Sequence, residues 1–266
     1  MAEHCNLYDR AKYYDIVFNR DVSAEVLFFK DLYQKHVGKP DFQSAIDIAC
    51  GPGYHARALA MRGYQTFGLD LRAEMLRFAT ESQDREQISD KNLTQWIEAD
   101  MRTFKLKSPV DMAFCIFDGL DCLLTNDNLK MHFQAIAKNL TPGGLYVIDL
   151  SHPSEIDWTH YKKFHYSGHR DGVQVDIHWA TNHPTYDLAT GIATVEVKML
   201  VNDHGKKFEI VDRAEERLMF PQELTLIAEL SGMLKTVAWY GDFNINQPLD
   251  STAQSRRMIG VFQKIG

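Results

Sequence analysis

Residues 47–56, Asp-Ile-Ala-Cys-Gly-Pro-Gly-Tyr-His-Ala, decide the fold of this 266-residue chain. The apolar run 44–50 predicts a buried strand, and the pattern from about 54 to 62 predicts a helix. The glycines between them therefore form a tight strand-to-helix turn, in which a missing Cβ lets the backbone approach a ligand closely. The N-terminus of the following helix adds unpaired N–H groups and a positive dipole end. The pattern Gly51-x-Gly53-x-x-Ala56 also fits a dinucleotide fingerprint, which alone is a weak signal.

Asp70 ends the second predicted strand, 64–70. In a doubly wound sheet this position lies beside the glycine turn, across the crevice in which ligands bind. A carboxylate there can accept two hydrogen bonds from a ribose diol. An aspartate at a strand end more often caps a helix or stabilises a turn, but beside the glycine turn the ribose contact is favoured.

Strands and helices alternate from 45 to 150, which predicts an α/β fold with a doubly wound, seven-stranded, mostly parallel sheet of the Rossmann-like type. After 150 the pattern changes to segments that alternate apolar and polar residues, separated by turn residues, which predicts an inserted antiparallel β meander. We predict a larger domain over 1–150 and 216–266, with an N-terminal cap helix, and an inserted lid or substrate-binding region over 151–215. The remaining predicted elements are helices at 22–37, 73–82, 126–140 and 222–232, a turn at 141–144, and strands at 94–100, 110–117, 145–150, 173–181, 193–201, 206–220, 234–240 and 256–265.

Composition excludes several classes of protein. The formal charge of −7 disfavours a nucleic-acid backbone as the main partner. No apolar run approaches the ~20 residues that span a bilayer, and the N-terminus lacks the apolar core of a signal peptide, so we expect a cytoplasmic protein without a membrane partner. The four cysteines show no zinc spacing, and His160, His165 and His169 fit no metal pattern, so no metal is predicted.

The stretch IDIACGPGYHARALAMRGYQTFGLDLRAEML (46–76) resembles the first two motifs of class I methyltransferases that use S-adenosylmethionine (SAM). IEADMRTF (97–104) is similar to their third motif, VDMAFCIFDGLDCLLTNDNL (110–129) to the fourth, and LTPGGLYVIDL (140–150) to the segment ending in the fifth strand. The tail from 220 to 243 resembles small-molecule N- and O-methyltransferases, although Met233 follows Gly232 where they carry Phe or Tyr. The resemblance covers about 40–150 and 216–266.

This resemblance implies SAM as the cofactor and assigns roles to individual residues. Asp47 would face the methionine amino group, Asp70 would hold the ribose hydroxyls, and Asp100 would accept from the adenine amino group. Tyr13 or Tyr14, in AKYYDIVF (11–18), would reach the SAM carboxylate or the acceptor, with packing against the lid as an equal alternative, and we take Tyr14 as the site residue. The other predicted cofactor contacts are Ala49, Gly51 and Gly53 at the methionine part, Leu71, Met75, Ala99 and Met101 around the adenine, and Phe117 and Asp118 under the sulfonium.

No strong catalytic signature is expected, because in-line methyl transfer mainly requires alignment of the reactants and exclusion of water. His152, just after the fifth strand, is the first candidate for a base, and Asp118 and Asp121 are others. The segment after the fourth strand lacks the Pro-Pro-aromatic run that stacks a flipped base, so we predict transfer to N or O of a small molecule. An NAD-dependent oxidoreductase and a non-catalytic SAM-binding module are the alternatives. The chain is expected to be a monomer or a homodimer.

Overall fold

A computed structural model describes residues 3–4, 7–86, 93–152 and 161–266. Cys5 and His160 lie outside the described residues. The helices are α1 (Ala11–Phe18), α2 (Ser23–Val37), α3 (Tyr54–Ala60), α4 (Ala73–Arg85), α5 (Asn126–Asn139) and α6 (Pro221–Leu230), preceded by a 3₁₀ turn over Leu7–Asp9. The strands are β1 (Glu3–His4), β2 (Ser44–Ile48), β3 (Gln65–Asp70), β4 (Thr94–Glu98), β5 (Val110–Cys115), β6 (Leu140–Ser151), β7 (Phe164–Arg170), β8 (Val173–Trp179), β9 (Ile192–Asp203), β10 (Lys206–Arg217), β11 (Leu234–Tyr240) and β12 (Arg257–Lys264).

The chain divides into two compact units. The smaller comprises Met1–Arg20 and Glu155–Leu218, and the larger comprises Asp21–Ser154 and Met219–Gly266. The first twenty residues thus group with the meander, whereas the sequence placed them with the larger domain. The reason is local packing, because Tyr14 and Ile16 of α1 belong to the same apolar cluster as the strands of the meander.

The larger unit is built on a seven-stranded sheet in the order β11-β12-β6-β5-β2-β3-β4. β2 pairs in parallel with β3 and β5, β3 with β4, and β5 with β6, while β12 runs antiparallel to β6 and β11. The order reverses at β2, which carries the glycine turn at its carboxyl end. A ligand crevice is expected at such a switch point.

Apolar side chains cover both faces of this sheet. One cluster joins Ile46 and Ile48 of β2 to Phe133 of α5, and the other joins Phe114 of β5 to Phe29 of α2 and Leu59 of α3. All six side chains are at most 1% exposed. Central parallel strands are buried on both sides, which is why the predicted strands here read as nearly continuous apolar runs.

The smaller unit contains a five-stranded sheet in the order β1-β10-β9-β8-β7. The last four strands form an antiparallel meander, of which β8, β9 and β10 were predicted from the sequence. Two hairpins turn on the pairs Asp171-Gly172 and His204-Gly205, and all four residues have positive φ. Two successive residues in that conformation give the turn whose twist matches the flanking strands.

Three local predictions are corrected by the structure. Residues 141–144 were expected to form only a turn, but they lie within β6, which begins at Leu140 and pairs irregularly with β5. Gly143 has φ +77°, so an extended segment with one kink replaces a complete turn. No strand was predicted between 151 and 171, yet β7 spans Phe164–Arg170. The fourth predicted strand ends at Cys115 rather than at 117, because Phe117 and Asp118 turn with positive φ.

Candidate functional site

The turn between β2 and α3 has an unusual backbone. Ala49, Gly51 and Gly53 have φ of 54°, 52° and 75°. A positive φ is strained for alanine and costs glycine nothing. The turn is closed by a hydrogen bond from the Gly53 N–H to the Cys50 carbonyl, 2.9 Å long. It leads directly into α3, whose N-terminal N–H groups point toward its start.

The two glycines of the turn have different surroundings. A Cβ added to Gly51 would meet no atom within 4 Å, whereas one added to Gly53 would overlap the indole of Trp96 on β4. Gly68 of β3 faces the same indole, which donates a 2.8 Å hydrogen bond from Nε1 to Gln83. Gly51 is therefore the glycine that leaves open space for a ligand, and Gly53 is required by packing beneath the turn.

Asp47 is 4% exposed on β2, and its Oδ2 has no hydrogen-bond partner among the described residues. Burial raises its pKa well above the usual range. The Ala56 N–H opposes this change, and the nearby charge of Asp70 adds to it. A buried carboxylate oxygen without a partner is costly, and a cationic group bound in the turn would satisfy it.

Asp70 lies at the end of β3 and accepts backbone hydrogen bonds on both oxygens. The Gly51 N–H donates to Oδ2 and the Arg72 N–H to Oδ1, each at 2.8 Å. Burial raises its pKa even though these bonds favour the charged form. The carboxylate therefore shapes the glycine turn, a role that the strand-end alternative anticipated. Each oxygen keeps a lone pair for a further donor such as a hydroxyl.

Asp100 follows β4 and is engaged by Arg102. The Arg102 backbone N–H donates to Oδ1 at 2.8 Å, and its Nε lies 2.9 Å from Oδ1 and 3.0 Å from Oδ2. The side-chain hydrogen bond from Arg102 lowers the pKa of Asp100. Nothing in the sequence pattern indicated this partner. An adenine amino group would have to share the carboxylate with a guanidinium.

The predicted apolar contacts to adenine differ in exposure. Leu71 is 64% exposed beside Asp70, so it offers surface to a ligand. Met75 is 1% exposed, so it could touch adenine only if its neighbours moved. Ala99 donates its N–H to the Asp70 carbonyl at 3.1 Å, and Met101 packs against the core.

The Met101 carbonyl is held by His132 of α5, a residue that the sequence analysis missed. Nδ1 of this fully buried histidine lies 3.0 Å from the Met101 carbonyl oxygen, and Nε2 lies 2.6 Å from the Tyr146 hydroxyl oxygen. Burial lowers the pKa of His132 to about 4, against the influence of Met101 and Asp100. The imidazole is neutral near pH 7, with Nδ1–H as the donor and Nε2 as the acceptor. A histidine on the apolar stripe of a predicted helix was the available signal.

The loop after β5 contains Phe117 and Asp118, both with φ of 61°. Phe117 is 42% exposed. The Asp118 side chain accepts from the Ser151 N–H and pairs with Arg257, so it is not an unpaired base. A Cβ added to the next residue, Gly119, would lie 3.3 Å from the Cβ of Ala49, so this loop adjoins the glycine turn.

The two residues predicted to be catalytic lie in different surroundings. His152 is 5% exposed, and its Nε2 lies 2.8 Å from the Asp250 carbonyl oxygen, so this nitrogen is a donor. Tyr14 lies in the smaller unit, where its ring centroid is 5.7 Å from that of Tyr8 and 4.5 Å from that of Phe18. Tyr14 also packs against the apolar cluster of the meander strands, and such packing is the alternative left open for it. Roles for both residues in catalysis stay predictions.

The described residues contain neither a metal-binding cluster nor a membrane-spanning helix. No group of three or more His, Cys, Asp or Glu side chains in 3–4, 7–86, 93–152 and 161–266 is arranged to hold a metal ion. Within the same part of the chain, every helix is too short or too polar to cross a membrane.

The sheet order, the reversed strand β12 and the glycine turn at the switch point define a doubly wound α/β fold. Residues 45–144 match the methyltransferase domain family. The resemblance to class I SAM-dependent methyltransferases is thereby confirmed, and the comparisons do not support either alternative.

The chain is similar to individual methyltransferases over part or all of its length. A dTDP-3-amino-3,4,6-trideoxy-α-D-glucopyranose N,N-dimethyltransferase of Streptomyces venezuelae is 30% identical over 144 residues, which are 53% of this chain and 56% of that protein. The chain thus spans about half the length of this curated relative. A SAM-dependent methyltransferase from Clostridium acetobutylicum superposes with a TM-score of 0.77 at 20% identity, covering 98% of this chain and 100% of that one. A sugar N-methyltransferase from Streptoalloteichus gives a TM-score of 0.74 at 19% identity, covering 100% and 96%. At these identities the two structures show the fold.

Proposed function

We propose that this protein transfers the methyl group of SAM to an amino group of a small molecule, such as an amino sugar. The observation that carries the proposal is the buried Asp47 oxygen without a described partner, beneath a turn in which Ala49, Gly51 and Gly53 all have positive φ. A carboxylate in that position suits the α-amino group of a methionine moiety. The open side of Gly51 allows the backbone to approach it.

The residues of the site fit SAM at three further points. Asp70 has lone pairs for the ribose hydroxyls, and the exposed Leu71 offers an apolar surface to the adenine. Asp100 would accept from the adenine amino group while it stays paired with Arg102. Phe117 and Asp118 would line the sulfonium side.

SAM, when bound, supplies a methyl group already activated by the positive sulfur. The residues of the chain would therefore act mainly by alignment and by exclusion of water. An amine acceptor needs only to be neutral when it attacks, so a dedicated base is not essential. This agrees with the pairing of Asp118 to Arg257 and with the burial of His152.

The choice of an amine is supported by the named relatives, two of which act on amino groups of sugars. Those proteins differ from this chain at 70% or more of the aligned positions, so the acceptor itself is part of the proposal. The cytoplasmic location and the monomeric or dimeric state also stay predictions.

The test has two stages. Calorimetry with SAM and with S-adenosylhomocysteine should show one site per chain, and NAD should not bind. Incubation with methyl-labelled SAM and a panel of matched amino and hydroxy sugars, free and nucleotide-linked, should label amino sugars. Failure to bind SAM would reject the enzyme class. Labelling confined to hydroxy sugars would reject the amine and keep the class.

A further inference from the structure

Three charged side chains in the larger unit form a connected group at the carboxyl ends of β5 and β6. Arg257, the first residue of β12, donates from Nε to Oδ1 of Asp149 at 2.6 Å and from Nη2 to Oδ2 of Asp118 at 3.0 Å. Asp149 is 2% exposed, and the Arg257 side chain is 21% exposed. We call Asp118, Asp149 and Arg257 the ion triad.

The ion triad is bonded to the backbone of the loop after β5. Oδ2 of Asp149 accepts from the Phe117 N–H at 2.9 Å, and the Asp149 carbonyl accepts from the Asp118 N–H at 3.1 Å. The Asp118 carboxylate in turn accepts from the Ser151 N–H at the end of β6. Both N–H groups of the turn are therefore held by one residue of the neighbouring strand.

This loop needs such support because its backbone is strained. Phe117 and Asp118 both have φ of 61°, a region that residues with a Cβ occupy only when the surroundings enforce it. Strain of this kind concentrates at ligand sites. The loop also adjoins the glycine turn, since a Cβ on Gly119 would lie 3.3 Å from that of Ala49.

The ion triad depends on the charge and the shape of the Arg257 guanidinium. Two carboxylates share one guanidinium. Removing the positive charge of Arg257 would leave the buried Asp149 carboxylate beside that of Asp118 without a cation. Burial opposes the charge of Arg257, but the two carboxylates outweigh it and raise its pKa. Burial also raises the pKa of Asp149, against the influence of Arg257. A fork of guanidinium N–H donors can bind two carboxylates at fixed angles, whereas a lysine ammonium cannot reproduce that geometry.

We propose that Arg257 is a positioning residue of the cofactor site, which fixes the strained Phe117–Asp118 turn through Asp149 and Asp118 and so sets where this loop meets the methionine part of SAM. The inference rests on the proposed function, because it takes the glycine turn as the SAM site. Arg257 itself need not touch the cofactor.

The variant Arg257→Lys keeps the charge and loses the fork, and Arg256→Lys is its matched control. Arg256 is the preceding residue, its side chain is 80% exposed, and it pairs only loosely with Asp242 at 3.7 Å. Calorimetry on the full chain should show that Arg257→Lys binds SAM about tenfold more weakly. A tenfold loss of affinity is comparable in free energy to the cost of one strained backbone conformation. Arg256→Lys should bind SAM like the unaltered protein.

Adenosine, which lacks the methionine part, separates positioning from general loosening. Its affinity should be the same in the unaltered protein and in Arg257→Lys, while that of SAM falls. If Arg257→Lys does not fold, as judged by its melting curve, Asp149→Asn decides, because it weakens the pairing with Arg257 at a residue that is not a predicted cofactor contact, and it leaves the Arg257–Asp118 pair.

The outcomes are distinct. A folded Arg257→Lys or Asp149→Asn that binds SAM like the unaltered protein would overturn the inference, and so would an equal loss for SAM and adenosine. Absence of SAM binding by the unaltered protein would instead reject the proposed function.

Discussion

At the scale of single residues, the buried charge of Asp47 lowers the stability of the ligand-free protein and favours the binding of a cation. Its pKa is raised in the folded chain, so ionising it becomes a cost to folding as the pH rises above its unfolded value near 4. Stability from this group is therefore present in acid and lost toward neutral pH. A ligand cation in the turn would remove that cost.

We expect Asp47→Asn to raise the free energy of unfolding of the ligand-free protein at pH 7 by about 1–3 kcal/mol. The same change should weaken SAM binding, because the cation loses its partner. Melting curves and calorimetry measure the two effects. Asp111→Asn is the control, since Asp111 accepts from the Gln43 and Ser44 N–H groups at 2.9 and 3.2 Å and its loss should destabilise. A lower melting temperature for Asp47→Asn would contradict the assignment.

The two glycines of the turn should respond differently to alanine. Gly51→Ala meets open space, so it should lower stability by only about 1 kcal/mol, the cost of its positive φ, while weakening SAM binding. Gly53→Ala must displace the Trp96 indole and should destabilise by about 1–3 kcal/mol or more. Urea unfolding of both variants measures the difference. Equal losses would show that the indole does not limit position 53.

At the scale of elements, the parallel strands followed from the sequence because buried strands read as apolar runs between turn residues. Strand β7 was missed, since 151–171 is polar and rich in histidine, and its side chains alternate between exposed and half-buried positions. The Asp171-Gly172 pair is a strong hairpin signal and indicates a strand on each side of it. Where Asp100 and Asp118 point could not be predicted, because Arg102 and Arg257 meet them only in the folded chain.

The β7–β8 hairpin gives a test at this scale. Gly172→Ala should destabilise the smaller unit by about 1 kcal/mol, because φ is +76° and the nearest atom to an added Cβ, in the His204 ring, lies at an ordinary 3.5 Å. Gly172→Asn should cost less, since asparagine tolerates this conformation better. Hydrogen exchange of the β7 and β8 amides would measure both changes. A similar effect of the two substitutions would contradict a purely conformational origin.

At the scale of the whole molecule, buried ionisable groups set how stability depends on pH. The folded pKa of His132 is about 4 and its unfolded value about 6.5. The unfolded chain therefore binds a proton first, and the stability from neutral His132 is complete above about pH 6.5 and lost between about 6.5 and 4. The difference corresponds to about 3 kcal/mol.

We expect His132→Gln to flatten the fall in stability between pH 6.5 and 4, because glutamine cannot take up the proton. Denaturant unfolding at a series of pH values measures the slope. A slope for His132→Gln as steep as that of the unaltered protein would assign the acid loss to other groups.

The contact of one indole with two glycines also limits how this chain can vary during evolution. A residue other than glycine at position 53 or 68 requires a smaller side chain at position 96 or a different orientation of the Trp96 indole. Substitutions at these three sites are therefore tolerated in combination rather than one at a time, and among descendants of this sequence the sites should covary.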